Sequence, residues 1–440
     1  MTQGIETSSP VRGSRVHRAW WVALGACLAI LGAGAFSTMS GLLVNPLHQE
    51  FEWSRSTIGI AVAVNMVLYG LTAPFAAALM DRFGIRRVIA GALTIISAGA
   101  ALTTIMTEAW QLILYWGLLI GLGTGSMAMA FAATVANRWF VRRRGVVSGL
   151  LTAASVFGQF VFLPLLAWII AHYQWRSAIV TLALTALITI PLVWLLLRDH
   201  PADVGLTAYG AGEFTPKPAA DPGAARRTVR VLVEAARTGQ FWLLATTFAI
   251  CGATTNGIMW THFVPAARDH GMPITVAASL LTMIGIFNVV GTIGSGWLTD
   301  RYDPRKLHAL YFPLRGVLLL LLPQLLASTV QPSVVFFMVA FGVLDVATVP
   351  PMIELCRRFY GDNGAIVFGW VNATHQVGAG LMALAASIMR ESLGSYAPVW
   401  IVSAALCVIA GLLALMIKRH DTDEHGSNLA ASKHQAVETG

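Results

Sequence analysis

Charge is what this chain has least of. Asp, Glu, Lys and Arg make up 11% of its 440 residues, against about a quarter in a soluble domain. So little polar surface cannot coat a globule. Cysteine is equally sparse. Cys27, Cys251, Cys356 and Cys407 sit in or at the ends of apolar runs, with neither the spacing of a metal site nor that of a disulfide framework, so no metal and no cofactor is expected. No His-Glu-x-x-His and no nucleophile elbow occurs, which argues against an enzyme. Gly121, Gly123 and Gly125 lie in the middle of an apolar run. With no strand before them they read as close helix packing, not as a phosphate loop. The apolar runs are continuous rather than alternating, which excludes a membrane β-barrel.

What the chain has instead is hydrocarbon. It is 56% hydrophobic, with a mean hydropathy of +0.68. Twelve runs have the length needed to cross about 30 Å of bilayer core as a helix. They cover 20–43, 57–79, 88–106, 111–135, 146–170, 177–197, 241–264, 275–298, 307–328, 333–355, 365–389 and 396–417. The expected fold class is an all-α membrane protein with twelve transmembrane helices in two six-helix bundles. The first run is too long for a signal-peptide core and reads as an uncleaved helix.

The net charge of +8 would suit a nucleic-acid binder, but its distribution does not. Arg55, Arg176, Arg268 and Arg390 fall in loops on one side, and Arg315 falls inside a run. The remaining 24 of 29 basic residues fall on the other side. That is the positive-inside bias, and it places both termini in the cytoplasm of a plasma membrane, the inner membrane in a Gram-negative cell. No nucleic-acid partner is implied.

The organisation follows: a tail at 1–19, a bundle at 20–197, a linker at 198–240, a bundle at 241–418 and a tail at 419–440. Pro201, Pro216, Pro218 and Pro222 make the linker's first part a coil. In its last part Val229, Leu232, Val233 and Ala236 recur at helical spacing among Arg226, Arg227, Arg230 and Arg237. This predicts an amphipathic helix on the membrane surface, with a solvated basic coil as the alternative. His420, Asp421, Asp423, Glu424 and His425 in the tail read as a solvated end, not a metal site.

One polar string appears twice. Asp81-Arg82-Phe83-Gly84-Ile85-Arg86-Arg87 and Asp300-Arg301-Tyr302-Asp303-Pro304-Arg305-Lys306 lie 219 residues apart. Arg138-Trp139-Phe140 and Arg358-Phe359-Tyr360 lie 220 apart, as do Gly149 and Gly369. The offset marks a duplicated membrane unit. Both strings fall after the second span of their half. There they resemble the Gly-x-x-x-Asp-Arg-x-Gly-x-Arg-Arg/Lys loop of the major facilitator superfamily, with Ala77 in place of the leading Gly in the first copy and Asp303 in place of the later Gly in the second. Trp139-Phe140-Val141-Arg142-Arg143-Arg144-Gly145, with Gly149 and Gly158, and Glu50-Phe51-Glu52-Trp53-Ser54-Arg55 resemble the monocarboxylate and oxalate–formate branches. Thr292 stands where those branches often carry an Arg on the eighth helix, so that Arg cannot be carried over. The Gly-Pro-x-x-Gly-Gly pattern of drug–proton antiporters is missing around Ser155 to Pro164.

The resemblance implies that Asp81, Arg82, Arg86, Arg87, Asp300, Arg301 and Arg305 form a conformational latch at the cytoplasmic end. An acid there complements the N-terminus of a neighbouring helix, and the basic residues bridge carboxylates or lipid phosphates. Orientation by positive charge alone is the simpler alternative.

Buried polar residues carry the substrate expectation. Only Arg315 and Asp345 are charges deep within spans, and intramembrane charges are functional by default, with a static ion pair as the alternative. They lie roughly 13 Å and 18 Å from the same face at ~1.5 Å per residue. Arg315 is expected to neutralise an anionic substrate while Asp345 takes up a proton. His375 suits a proton relay or carboxylate contact. Asn65, Tyr69, Gln159, Asn256 and Asn288 are mid-span polar groups that either line a cavity or link helices. His262 and Trp260 are gate candidates, Trp260 otherwise an interfacial belt residue. Pro350-Pro351 should break the tenth span's ladder.

Together these readings predict a secondary transporter working by alternating access as a monomer among membrane lipids. Its cargo would be a small organic anion such as a monocarboxylate, moved with protons. The rival readings are an exporter of amphipathic drug-like compounds and a non-transporting membrane sensor on the same fold.

Overall fold

The computed structural model describes residues 17–127, 129–217 and 223–418. The tails and 218–222, and with them the acidic and histidine residues after Lys418, lie outside the described residues. The first six spans form α1 (Arg18–Phe51), α2 (Arg55–Phe83), α3 (Ile85–Thr103), α4 (Ala109–Trp139), α5 (Arg144–Tyr173) and α6 (Trp175–Leu196). After the linker helix α7 (Ala224–Ala236) come α8 (Gly239–Asp269), α9 (Ile274–Thr299) and α10 (Pro304–Leu325). The tenth span is split into α11 (Pro332–Asp345) and α12 (Val349–Tyr360). α13 (Gly364–Leu393) and α14 (Ala397–Met416) complete the chain. Eleven stretches of the described residues are long and apolar enough to span a bilayer. One of them, Pro332–Leu393, turns back at Gly361 (φ 50°) and so holds two crossings.

Local chemistry sets several boundaries. Ser54 accepts a hydrogen bond from the Thr57 amide at 3.0 Å and caps α2; Asp303 does the same for α10 through the Arg305 amide at 3.0 Å. Such caps satisfy amides that have no partner within the helix. Close crossings rest on glycine. Gly252 of α8 meets the His375 carbonyl of α13, and Gly378 of α13 meets the Ala249 carbonyl of α8, at separations that leave no room for a Cβ.

The halves join along α2 and α13, α5 and α9, and α1 and α8. At the end of the bundle away from the two repeated loops, an ion network links them. Arg390 Nε donates to Asp269 at 2.7 Å, and Arg55 approaches the same carboxylate at 3.8 Å. Arg55 also donates to Asn45 at 2.7 Å, and the Ser56 amide donates to Glu391 at 3.2 Å. At the end carrying the repeated loops, called the basic end below, Phe75 of α2 meets the Trp370 ring of α13 edge-on at 5.5 Å.

The linker is strapped to both halves. The Tyr209 amide donates to the Trp139 carbonyl at 2.8 Å, and the Trp139 indole donates to the Arg198 carbonyl at 3.2 Å. α7 forms where its helical period predicts, and beside the apolar stripe, of which Leu232 and Ala236 are partly buried, it turns a second stripe fully inward. Thr228, Val231 and Ala235 are buried against α13 and α2, with the Trp370 indole on the Thr228 carbonyl at 3.0 Å. Val229 and Val233 stay exposed. Contact with protein, not only with a membrane surface, therefore holds this helix.

Candidate substrate and proton site

The tenth span breaks where its sequence removes donors. Pro350 and Pro351 have no N–H, so the Val346 and Ala347 carbonyls lose their ladder partners, and because the helix stops at Asp345 the Leu344 and Asp345 carbonyls lose theirs as well. The chain satisfies them one by one. The Val346 carbonyl takes the Val349 amide at 3.0 Å. The Ala347 carbonyl takes the Ser295 hydroxyl at 2.5 Å. The Leu344 and Asp345 carbonyls both take Arg315 Nη2, each at 2.7 Å. A fully buried guanidinium (0% exposed) thus caps a broken helix in mid-membrane. This is the usual condition for irregular backbone at that depth: it must be sheltered and satisfied by protein.

The static side-chain ion pair between Arg315 and Asp345, the alternative reading, is not formed. The guanidinium is spent on the backbone on one side of the break, and the Asp345 carboxylate points elsewhere. Its Oδ2 accepts from Trp260 Nε1 at 3.1 Å and from Asn288 Nδ2 at 3.0 Å. The two charges remain electrostatic partners across the break. Asp345 is 4% exposed. A buried carboxyl group with two donors and a guanidinium nearby has its oxygen satisfied by protein.

Trp260 therefore sits not at the rim but on the central acid. It closes a wide-turn stretch of α8, Ala253–Trp260, in which the Thr261 hydroxyl reaches back to the Asn256 carbonyl at 2.7 Å. Such π-type turns recur at functional sites. His262, two residues on, is buried, bonded through Nε2 to the Ala383 carbonyl at 2.9 Å and through Nδ1 to the Tyr396 hydroxyl at 3.3 Å.

His375 lies on α13 within electrostatic range of Asp345 and Arg315. Its ring packs on Phe248 at 4.8 Å, and its Nδ1 is buried with no partner. The other polar candidates are dispersed. Asn65 donates to the Trp116 carbonyl at 2.8 Å. Tyr69 and Gln159 are half-buried in α2 and α5, so the first half contributes no group to the Asp345 cluster.

Several members of the cluster were not singled out by sequence. Cys251 Sγ accepts from Arg315 Nη1 at 3.2 Å and lies 3.2 Å from the Thr348 hydroxyl. His308 and Tyr311 precede Arg315 by seven and four residues on one stretch of α10. Both are buried, with ring nitrogens and hydroxyl unpartnered. The helical spacing 308, 311, 315 was the available signal.

The repeated loops are arranged within their own halves. Asp81 pairs with Arg138 of α4. Arg86 stacks on Trp194 at 4.1 Å while its amide donates to Asp199 at 2.9 Å. Arg82 lies 5.2 Å over Phe83, and Arg87 is exposed. In the second loop Asp300 is exposed, Arg301 stacks on Trp297 at 4.0 Å, and Arg305 pairs with Asp303 at 2.6 Å and donates to the Ile417 carbonyl at 2.8 Å. The Arg305 hydrogen bond, more than any other influence, holds the Asp303 carboxyl below the usual carboxylate range.

Two repeated helical bundles, the second holding a buried polar cluster around Arg315 and Asp345, are the architecture of a membrane transporter of small solutes. A family profile described as Major Facilitator Superfamily matches residues 22–365 and 253–439. The chain belongs to that superfamily. It is 28% identical over 377 residues to monocarboxylate transporter 13 of Bos taurus, covering 84% of this chain and 82% of that protein. It is 25% identical over 316 residues to a gallate transporter of Pseudomonas putida, covering 68% and 69%. The partially occluded inward-open structure of the xylose transporter XylE from E. coli superposes with a TM-score of 0.69 at 15% identity, over 92% of this chain and 99% of that one.

Proposed function

We propose that this protein moves a small organic anion, a monocarboxylate or aromatic carboxylate, together with a proton, by alternating access between the halves 20–197 and 241–418. The observation that carries the reading is the Asp345–Arg315 arrangement. With Asp345 ionised the centre is neutral, and an anion gains nothing by entering. Protonation of Asp345 leaves the guanidinium uncompensated in a low-dielectric interior, and an anion then restores neutrality. Because Arg315 is pinned to backbone carbonyls, its charge stays in place through the cycle. His375, with its free Nδ1, and the Trp260 and Asn288 donors are the groups nearest to receive the carboxylate. Asn65, Tyr69, Gln159 and Asn256 would complete the cavity.

The names of the relatives, for monocarboxylates and for gallate, support an anionic cargo. The positive-inside bias supports placing the basic end and both termini in the cytoplasm. In the state described, the opposite end is locked by Asp269, Arg390 and Arg55. Asp81 would exchange Arg138 for the N-terminus of α13 when the basic end closes, and Asp300 would act alike in the second half. His262 would gate the opposite side, while Trp260, the other gate candidate, stands on Asp345 instead. The monomer holds the whole centre and suffices.

Proteoliposomes test the proposal. An acid-outside gradient should drive accumulation of labelled benzoate or lactate, and collapse of the gradient should abolish it. Uptake indifferent to the gradient, or restricted to lipophilic cations, would refute it.

A further inference from the structure

Near the basic end of the first half, α2, α3 and α4 enclose an open cleft of about 500 Å³. Its walls include Thr72, Phe83, Gly91, Ile95 and Leu122, and Arg87 stands at its mouth on the first turn of α3. The walls are almost wholly apolar, and Phe83 and Ile95 are 49% and 40% exposed, so the cleft opens laterally toward lipid. Gly91 faces its open space: a Cβ there would meet nothing within 4 Å, so only a larger side chain would fill the cleft.

The dimensions fit one leaflet. Arg87 to Ile95 spans eight residues, about 12 Å, and Phe83 to Thr72 spans eleven, about 16 Å. Half of the hydrocarbon core is about 15 Å. The charges at the mouth are also unbalanced. Asp81, the nearby acid of the loop, is taken by Arg138, Asp199 caps α3 through the Arg86 amide, and the Arg86 guanidinium is stacked on Trp194. Arg82 and Arg87 have no carboxylate partner among the described residues.

We infer that this cleft is a binding site for one anionic phospholipid, with an acyl chain lying along Gly91 and the phosphodiester on Arg87. The pairing places the cation at headgroup depth and the groove at chain depth, and each Lys or Arg near the surface favours an anionic lipid by about fivefold. The inference rests only on the chain being embedded in a bilayer. Its test reads no transport, so its failure leaves the proposed cargo untouched.

The test uses delipidated full-length protein titrated with phosphatidylglycerol, phosphatidylcholine or inorganic phosphate and read by native mass spectrometry. Wild type should retain one phosphatidylglycerol about fivefold better than phosphatidylcholine. Arg87→Gln should lose that preference yet still hold lipid. Gly91→Trp, and the milder Gly91→Leu, should lose both lipids while unfolding at the wild-type temperature. Equal retention by wild type and the Gly91 variants overturns the inference. So does an unchanged headgroup preference in Arg87→Gln, or displacement of the lipid by inorganic phosphate.

Discussion

Asp345→Asn changes one property of the central site. Asn keeps an acceptor oxygen for Trp260 and Asn288, now 3.1 Å and 3.0 Å away. Arg315 is untouched, since it bonds to the carbonyls of residues 344 and 345 and not to the carboxylate. The swap therefore deletes a buried negative charge and little else. A unit charge beyond ion-pair reach, more than about 4 Å away, at an effective permittivity of about 20 is worth less than about 4 kcal/mol. At about 1.4 kcal/mol per decade, the resident guanidinium should then bind an anion ten- to a thousandfold more tightly. Binding should also no longer wait for a proton. In proteoliposomes the variant should exchange internal for external labelled substrate at least as well as wild type. It should fail to accumulate substrate under an acid-outside gradient, and its KM should be flat with pH. Uphill, proton-driven accumulation by Asp345→Asn at wild-type levels would sink the proposed coupling. Counterflow reports folding independently, so a dead protein cannot be mistaken for an uncoupled one.

Arg315→Ala removes both 2.7 Å bonds to the helix break and leaves two buried carbonyls bare. A loss of about 3–5 kcal/mol is expected, read as a large drop in unfolding temperature in detergent, and an unchanged temperature contradicts the capping role. Asp269→Asn should loosen the network with Arg390 and Arg55; hydrogen exchange in 45–58 and 385–396 should quicken, and unchanged rates would mean that the network does not hold the halves. Asp303 is held below its ordinary value by Arg305. A depressed acid stabilises the fold above its unfolded value, near 3.9, and loses that contribution as pH falls through the folded value. The difference in unfolding temperature between wild type and Asp303→Asn should therefore be constant from about pH 7 to 5 and shrink only below about pH 4; a difference that shrinks between pH 7 and 5 contradicts the assignment.

Much of the architecture was legible because a bilayer imposes it locally. An apolar run of span length must be helical, since nothing else satisfies its backbone in hydrocarbon. That argument needs no knowledge of neighbours, and it found twelve spans with edges within five residues of those observed, except that the first helix runs eight residues further, to Phe51. The helical period also placed α7 correctly. It said nothing of the second stripe, Thr228, Val231 and Ala235, which is buried, because that burial depends on Trp370 and the α2 surface, which lie far away in sequence.

The centre was legible only in outline. Rarity of charge drew attention to Arg315 and Asp345, and the proline pair predicted a break. Nothing in the sequence says that the arginine on α10 would be used to cap that break, or that the acid would turn to Trp260 and Asn288. Cys251, His308 and Tyr311 look like ordinary span residues until the bundle closes around Arg315.

The sequence by itself determined the crossings, the duplication, the side on which positive charge gathers and the place where the tenth helix must fail. These follow from the composition and spacing of short segments, each judged against lipid or water alone. The tertiary structure decided which donors rescue the freed carbonyls, which groups share the central charge, and where a cleft stays open beside Gly91. Those outcomes depend on distances of about 3 Å between residues on different helices, and one sequence contains no record of which helices meet.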